Sequence, residues 1–262
     1  MNANRIAGQT ALITGATSGF GWATAWALAN MQVNLLLLGR RSNRLEALAT
    51  QLRAEHPTLQ IETLVMDVRD YPQLQTQLHA FMAQTPIDIL INNAGLAAGL
   101  GSMVEGDVQD WEQMIDTNLK GLLYVSRTLL PQMQARNRGH IINIGSMAGN
   151  QTYPNGNVYC ATKAAVHVLG QAMNMDLLGS AIRVCTLAPG AANTEFSTVR
   201  FHGDQARANQ VYQGFEPLLA EDIAEMILYV LNAPPHVNIQ KIDMMPTAQR
   251  SPYHLHQNAF VD

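Results

Sequence analysis

Cysteine is almost missing from this chain, with two in 262 residues. Cys160 and Cys185 have neither metal-ligand spacing nor a disulfide framework. Each lies in an apolar segment, so both are expected to be small core residues. Charge is scarce as well: 14% of the residues are charged and 47% are apolar. That balance predicts a large buried core, with further surface buried between subunits. The net charge is −4 and the basic residues are scattered, which excludes the clustered basic face that nucleic acid requires. Long hydrophobic runs are lacking too. The longest strongly apolar run, Val33 to Leu38 with one Asn, falls far short of a bilayer span. Met1 to Gly8 is short and polar, unlike a secretory signal. The expectation is a soluble, cytoplasmic protein with no membrane partner. Eight histidines show no ligand spacing, and His254 and His256 read as solvated, so no metal is expected.

What is present alternates between strand and helix. Apolar runs at Thr10–Thr14, Val33–Leu38, Ile61–Met66, Ile87–Asn92, His140–Ile144 and Ile182–Leu187 make up the expected strand series. Helical patterns cover Gly21–Asn30, Ser42–Ala54 with Ser42 as N-cap, Asp110–Gln134 and Tyr159–Leu178. Continuous rather than alternating apolar strands predict a parallel sheet covered on both faces. With crossover helices, this is an α/β fold, a doubly wound Rossmann-type sheet. No linker or repeat interrupts it, so residues 1–262 read as a single domain. The irregular, polar segment 194–217 reads as a substrate lid. The polar tail from Gln249 is expected to be mobile or to dock on a neighbouring subunit.

Gly15, Ala16, Thr17, Ser18, Gly19, Phe20 and Gly21 follow the first strand directly and open a helix. Glycines there allow a tight turn and close approach of a pyrophosphate to the helix N-terminus. After the second strand comes Arg40-Arg41 and no carboxylate. A guanidinium suits a 2′-phosphate, so these two arginines point to NADP rather than NAD, although a solvated surface pair would read the same way. Tyr159 and Lys163 are four apart on a helix and so share a face. A lysine ammonium pulls the phenol pKa down from about 10, towards the range useful to a general acid or base. Ser146 ends an apolar strand at the carboxyl edge, where it can orient a substrate oxygen towards Tyr159.

The glycine spacing resembles the classical short-chain dehydrogenase/reductase family. Asp67-Val68, Asn92-Asn93-Ala94-Gly95, Asn118, Ser146, Tyr159 with Lys163, and Pro189-Gly190 follow in that family's order. The resemblance implies that Asp67 and Val68 hold the adenine. It places Asn93, Ala94 and Gly95 on the ribose side, with Lys163 donating to the nicotinamide ribose. It implies further that Pro189, Gly190 and Thr194 carry the nicotinamide amide, and that Asn118 holds a water against Lys163. Stretches around Asn118–Val125, Gly139–Gly149, Thr194–Phe201, Gly203-Asp204, Asp222–Glu225 and His236–Ile239 look similar to one branch. That branch is the NADP-dependent 3-hydroxy acid dehydrogenases, which act on serine, allo-threonine or 3-hydroxypropionate. Membership would imply a short carboxylate substrate and commonly a homotetramer. Arg200, in the lid segment, is then the candidate carboxylate clamp, with an arginine merely bridging loop and body as the alternative. Two other readings stay open: reduction of a different carbonyl (a 3-oxoacyl thioester, a sugar or a steroid ketone), and a non-catalytic NADPH sensor.

Overall fold

The apolar runs become strands in a computed structural model that describes residues 4–257. They are β1 (Thr10–Thr14), β2 (Asn34–Gly39), β3 (Ile61–Val65), β4 (Ile89–Asn92), β5 (Gly139–Ile144), β6 (Ile182–Pro189) and β7 (Lys241–Met244). All pair in parallel, in the order β3-β2-β1-β4-β5-β6-β7. The helices are α1 (Gly19–Asn30), α2 (Ser42–Glu55), α3 (Tyr71–Met82), α4 (Val108–Ile115), α5 (Leu122–Ala135), α6 (Asn157–Asp176), α7 (Phe196–Arg200), α8 (Gln205–Gln210) and α9 (Ala220–Leu231). The expected doubly wound α/β sheet is therefore present. Residues 1–3 and 258–262, which the single-domain expectation and the tail include, lie outside the described residues.

Continuous apolar strands are needed because each face of the sheet has its own core. Leu35 and Leu37 of β2 point into the layer formed with α1, α2 and α9. Their neighbours Leu36 and Leu38 point into the layer formed with α3, α5 and α6. A side-chain period of two thus needs apolar residues at every position.

Several elements depart from the sequence reading. α3, α9 and β7 were not expected. β7 alternates Lys241, Ile242, Asp243 and Met244 at the sheet edge, so it carries no continuous apolar run. Ser42 is the first helical residue of α2. Arg41 takes the N-cap position and makes no side-chain cap. After α1 the chain makes a left-handed turn at Gln32 (φ 59°). The long helix expected over Asp110–Gln134 is broken by a π-helical segment, Asp116–Gly121, between α4 and α5. The tail folds onto its own chain: Arg250 N donates to His254 O (2.8 Å) and His256 N to Ala248 O (2.9 Å).

The folded sheet also stores an acid sensitivity. His140 of β5 is 4% exposed, lies opposite Arg183 of β6, and its Nδ1 has no hydrogen-bond partner. Burial first, and the Arg183 charge second, push its pKa down to about 3. The unfolded chain, titrating near 6.5, then binds this proton first. The neutral histidine's contribution is complete above that pH and is lost as the pH falls towards 3. We expect denaturant melts to lose stability below pH 6.5, and His140→Leu to flatten that slope by up to about 1.4 kcal/mol per pH unit. An unchanged slope in the variant would place the sensitivity elsewhere.

Candidate active site

β1 and β4 pair in parallel where the strand order reverses, and just past their carboxyl ends a small set of hydrogen bonds ties the two segments together. Thr14 Oγ1 donates to Ile91 O (3.2 Å) and accepts from the amides of Asn93 (3.0 Å) and Ala94 (2.9 Å). Asn93 Nδ2 donates to the carbonyls of Thr14 (2.9 Å) and Gly15 (3.1 Å). Gly15 takes φ 66°, which turns the chain into α1. Gly21 leaves room for that turn, since a Cβ there would lie 2.4 Å from Gly15 O and 2.6 Å from Asn93 Nδ2. The result is an open backbone floor at a helix N-terminus, which fits a dinucleotide pyrophosphate.

Above the ends of β4, β5 and β6 lies a cavity of about 520 Å³. Tyr159 and Lys163 enter it from α6, and Ser146 from the end of β5. Burial first, then Tyr153, raises the Tyr159 pKa well above the ordinary phenol value; Arg200 and a hydrogen bond with Ser146 oppose this and do not prevail. Lys163 Nζ is buried, donates to Ile144 O (2.8 Å) and lies 5.9 Å from the Tyr159 ring centroid. Burial lowers its pKa to about 8. In this arrangement the expected pull on the phenol comes from Arg200 and Ser146 rather than from Lys163, and desolvation outweighs it. Ser146 Oγ accepts from Ala148 N (3.1 Å), which caps a short 3₁₀ turn, Met147–Gly149.

The segment 194–217 covers this cavity through α7 and its neighbours. The Arg200 guanidinium lies 5.0 Å from the ring centroids of Tyr159 and Phe196, and donates to Tyr153 OH (2.5 Å). Its Nε is buried without a partner. Among the described residues Arg200 forms no ion pair with a carboxylate.

The structure gathers most of the predicted residues into one wall. Gly15, Thr17, Ser18, Gly19, Phe20, Arg40, Arg41, Asp67, Val68, Asn93, Ala94, Gly95, Ser146, Tyr159, Lys163, Pro189, Gly190, Thr194 and Arg200 all line the cavity. Gly21 and Asn118 stand behind it. Asn118, in the π segment, accepts from Leu96 N and donates to Leu96 O (2.8 Å each) and to Thr162 Oγ1 (3.1 Å). Asn92 turns away into the core, donating to Ser126 Oγ (3.0 Å) and Asn143 Oδ1 (2.9 Å).

Four residues escaped the sequence reading. Tyr153 sits in an irregular loop, where nothing marks a functional aromatic. His167 follows Lys163 by one helical turn; its Nε2 accepts from Ser146 N (3.4 Å), and burial first lowers its pKa to about 4, so the ring is neutral. Spacing alone could have shown it, since 159, 163 and 167 share one face of α6. Gln249 reaches back from the tail, where its Oε1 accepts from Ala191 N (2.8 Å) beside the Pro189-Gly190 turn. Glu195 meets the arginines after β2.

A family profile described as short chain dehydrogenase matches residues 9–205. The NADP-dependent 3-hydroxy acid dehydrogenase of Escherichia coli (strain K12) is 45% identical over 240 residues, covering 91% of this chain and 95% of that protein. A sulfoacetaldehyde reductase of Chromohalobacter salexigens is 44% identical, covering 90% and 93%. The closed form of a serine dehydrogenase complexed with NADP⁺ superposes with a TM-score of 0.86 at 43% identity, covering 93% of this chain and 97% of that one.

The glycine floor can be tested directly. Gly21→Ala should cost about 1–3 kcal/mol of stability through overpacking, read by chemical denaturation. It should weaken dinucleotide binding as well, read by fluorescence titration. A variant as stable as the parent would mean that the loop relaxes around the methyl group.

Proposed function

The chain belongs to the short chain dehydrogenase family, and on that footing we propose that it acts on a short 3-hydroxy or 3-oxo acid of the serine, allo-threonine or 3-hydroxypropionate type. It is an NADP-dependent oxidoreductase acting on CH–OH groups. NADP(H), when bound, carries the hydride to or from the substrate carbon. Gly15, Thr17, Ser18, Gly19 and Phe20 would cradle its pyrophosphate, and Arg40 and Arg41 its 2′-phosphate. Asp67 and Val68 would take the adenine, and Asn93, Ala94 and Gly95 the ribose side. Lys163 would hold the nicotinamide ribose. Pro189, Gly190 and Thr194 would hold the amide.

A single observation supports the acid: Arg200 presents a part-buried guanidinium above the Tyr159 ring, and among the described residues it pairs with no carboxylate. A guanidinium set against aromatic rings with no carboxylate partner can pair with a substrate anion. With the anion on Arg200, only a short chain lets the hydroxyl or carbonyl oxygen meet Ser146 and Tyr159. Tyr159, held protonated by burial, donates a proton to the oxygen as reduction proceeds. In oxidation it must accept one, and the positive charge of the oxidised ring would favour that state. Asn118 Oδ1 keeps one lone pair for a water against Lys163. The segment 194–217 serves as the lid over this pocket. The same guanidinium suits a sulfonate, the group named in the sulfoacetaldehyde reductase relative. Among the described residues no helix is long and apolar enough to cross a membrane. Exposed Val168, Met175 and Leu178 along and just after α6 support subunit contacts, within a cytoplasmic homotetramer as the family resemblance implies.

We expect nicotinamide absorbance to report NADP⁺ turnover with L-serine, D-serine, L-allo-threonine, 3-hydroxypropionate or 3-hydroxybutyrate. Tyr159→Phe should remove about 10²–10⁴-fold of that rate. Silence on every acid, with NADPH still binding, would redirect the search to bulkier ketones and thioesters. Arg200→Met should raise KM for the acid by roughly 30-fold, as expected when one partner of a buried charge pair is lost. An unchanged KM would remove Arg200 from substrate binding.

A further inference from the structure

Glu195 is the residue just before α7, and its carboxylate is shared between two arginines at the start of α2. Oε2 accepts from Arg41 Nη1 (2.9 Å), and Oε1 accepts from Arg44 Nη1 (2.5 Å). Arg41 also donates to Thr17 Oγ1 (3.1 Å from Nε, 2.8 Å from Nη2) and to Ser18 Oγ (2.7 Å), so it is anchored on the glycine loop. The neighbouring Arg40 faces a different acid, Asp67, at 3.6 Å. Burial would raise the Glu195 pKa, but hydrogen bonds from Arg41 and Arg44 outweigh it and hold the carboxyl below its ordinary value. The group is therefore an anion at neutral pH, set on the guanidinium read above as a 2′-phosphate ligand.

We propose that Glu195 is a specificity-determining residue for the cofactor, competing with the 2′-phosphate for Arg41 and Arg44 and yielding them when the phosphate binds. This rests on Arg41 being a 2′-phosphate ligand. The exchange is favourable because the three side chains are 40–46% exposed, where ion pairs contribute little. A phosphate brings close to two charges and several acceptor oxygens to the same donors. The neutral ribose hydroxyl of NAD brings neither, and leaves the carboxylate in place. Glu195 is also the N-cap residue of α7, where its carbonyl accepts from Val199 N (3.0 Å), and α7 carries Phe196 and Arg200 against the Tyr159 ring. The far end of the cofactor therefore bears on the residue proposed to hold the substrate anion.

The test is the pair of dissociation constants for NADPH and NADH, measured by fluorescence titration on the wild type, Glu195→Gln and Arg41→Ala. Glu195→Gln should tighten NADPH by roughly fivefold, the scale of one exposed ion pair, and leave NADH within about twofold. NADPH bound more weakly would mean that the carboxylate stays and straps the bound cofactor, which overturns the proposal. An equal change for both nucleotides would mean a general effect on the lid and overturns it too. Arg41→Ala should weaken NADPH far more than NADH. If it does so while Glu195→Gln leaves both constants unchanged, Glu195 alone is wrong. If Arg41→Ala weakens both equally, the 2′-phosphate assignment itself fails.

Discussion

The site depends on the junction just past the carboxyl ends of β1 and β4, where the strand order reverses. Parallel strands expose their carboxyl ends on one edge, and a reversal of strand order opens a crevice there. Thr14 and Asn93 fix its floor, with one hydroxyl and one amide making five hydrogen bonds across the junction. Gly15 and Gly21 then bring backbone against backbone where a methyl group would collide. The same residues that hold the sheet together thus form the floor of the groove, and fold stability and cofactor binding share one set of atoms.

On the far side of the groove, desolvation is the dominant force. It moves Tyr159 up and Lys163 down, so it brings the acid and the cation closer to their neutral forms. Arg200 adds its positive guanidinium over the Tyr159 and Phe196 rings. The result is a pocket whose permanent charge is positive and whose phenol is protonated, a setting suited to an anionic substrate whose oxygen needs a proton. Ser146 is held from two sides, by the 3₁₀ turn at Ala148 and by the neutral ring of His167. Its hydroxyl can therefore meet a substrate without first reorganising.

Much of this was legible because it repeats local rules. A buried parallel strand needs apolar residues on both faces, so β1, β2 and β4 to β6 stand out in the sequence, whereas the half-exposed edge strand β7 does not. The glycine spacing, Tyr159 with Lys163, and Ser146 at a strand end each combine a residue type with a local geometry. What stayed hidden needs long-range contact. Gln249 reaches Ala191 across 58 residues, Arg200 reaches Tyr153 across 47, and Glu195 meets Arg41 across 154. No local pattern announces such partners. The π segment is a different case. Its residues suit an ordinary helix, and only the bonds from Asn118 to Leu96 and Thr162 explain why the backbone takes a wider turn there.

The start of the segment 194–217 and the tail both make contacts close to the turn after β6. Thr194 packs against Gly19, so close that a Cβ there would meet it at 3.3 Å, and this pins the start of the lid to the glycine loop. Gln249 takes the amide of Ala191, just after the turn between β6 and the lid. The few residues between these anchors are therefore tied to the glycine loop on one side and to the tail on the other. Beyond them, α7 has only five residues, too few to be a stable helix by itself. Its position is set instead by what its side chains touch: Phe196 and Arg200 on the Tyr159 ring, and Glu195, just before it, on the arginines of α2. A short helix held in this way is tied at once to the arginines beside the glycine loop and to the Tyr159 ring.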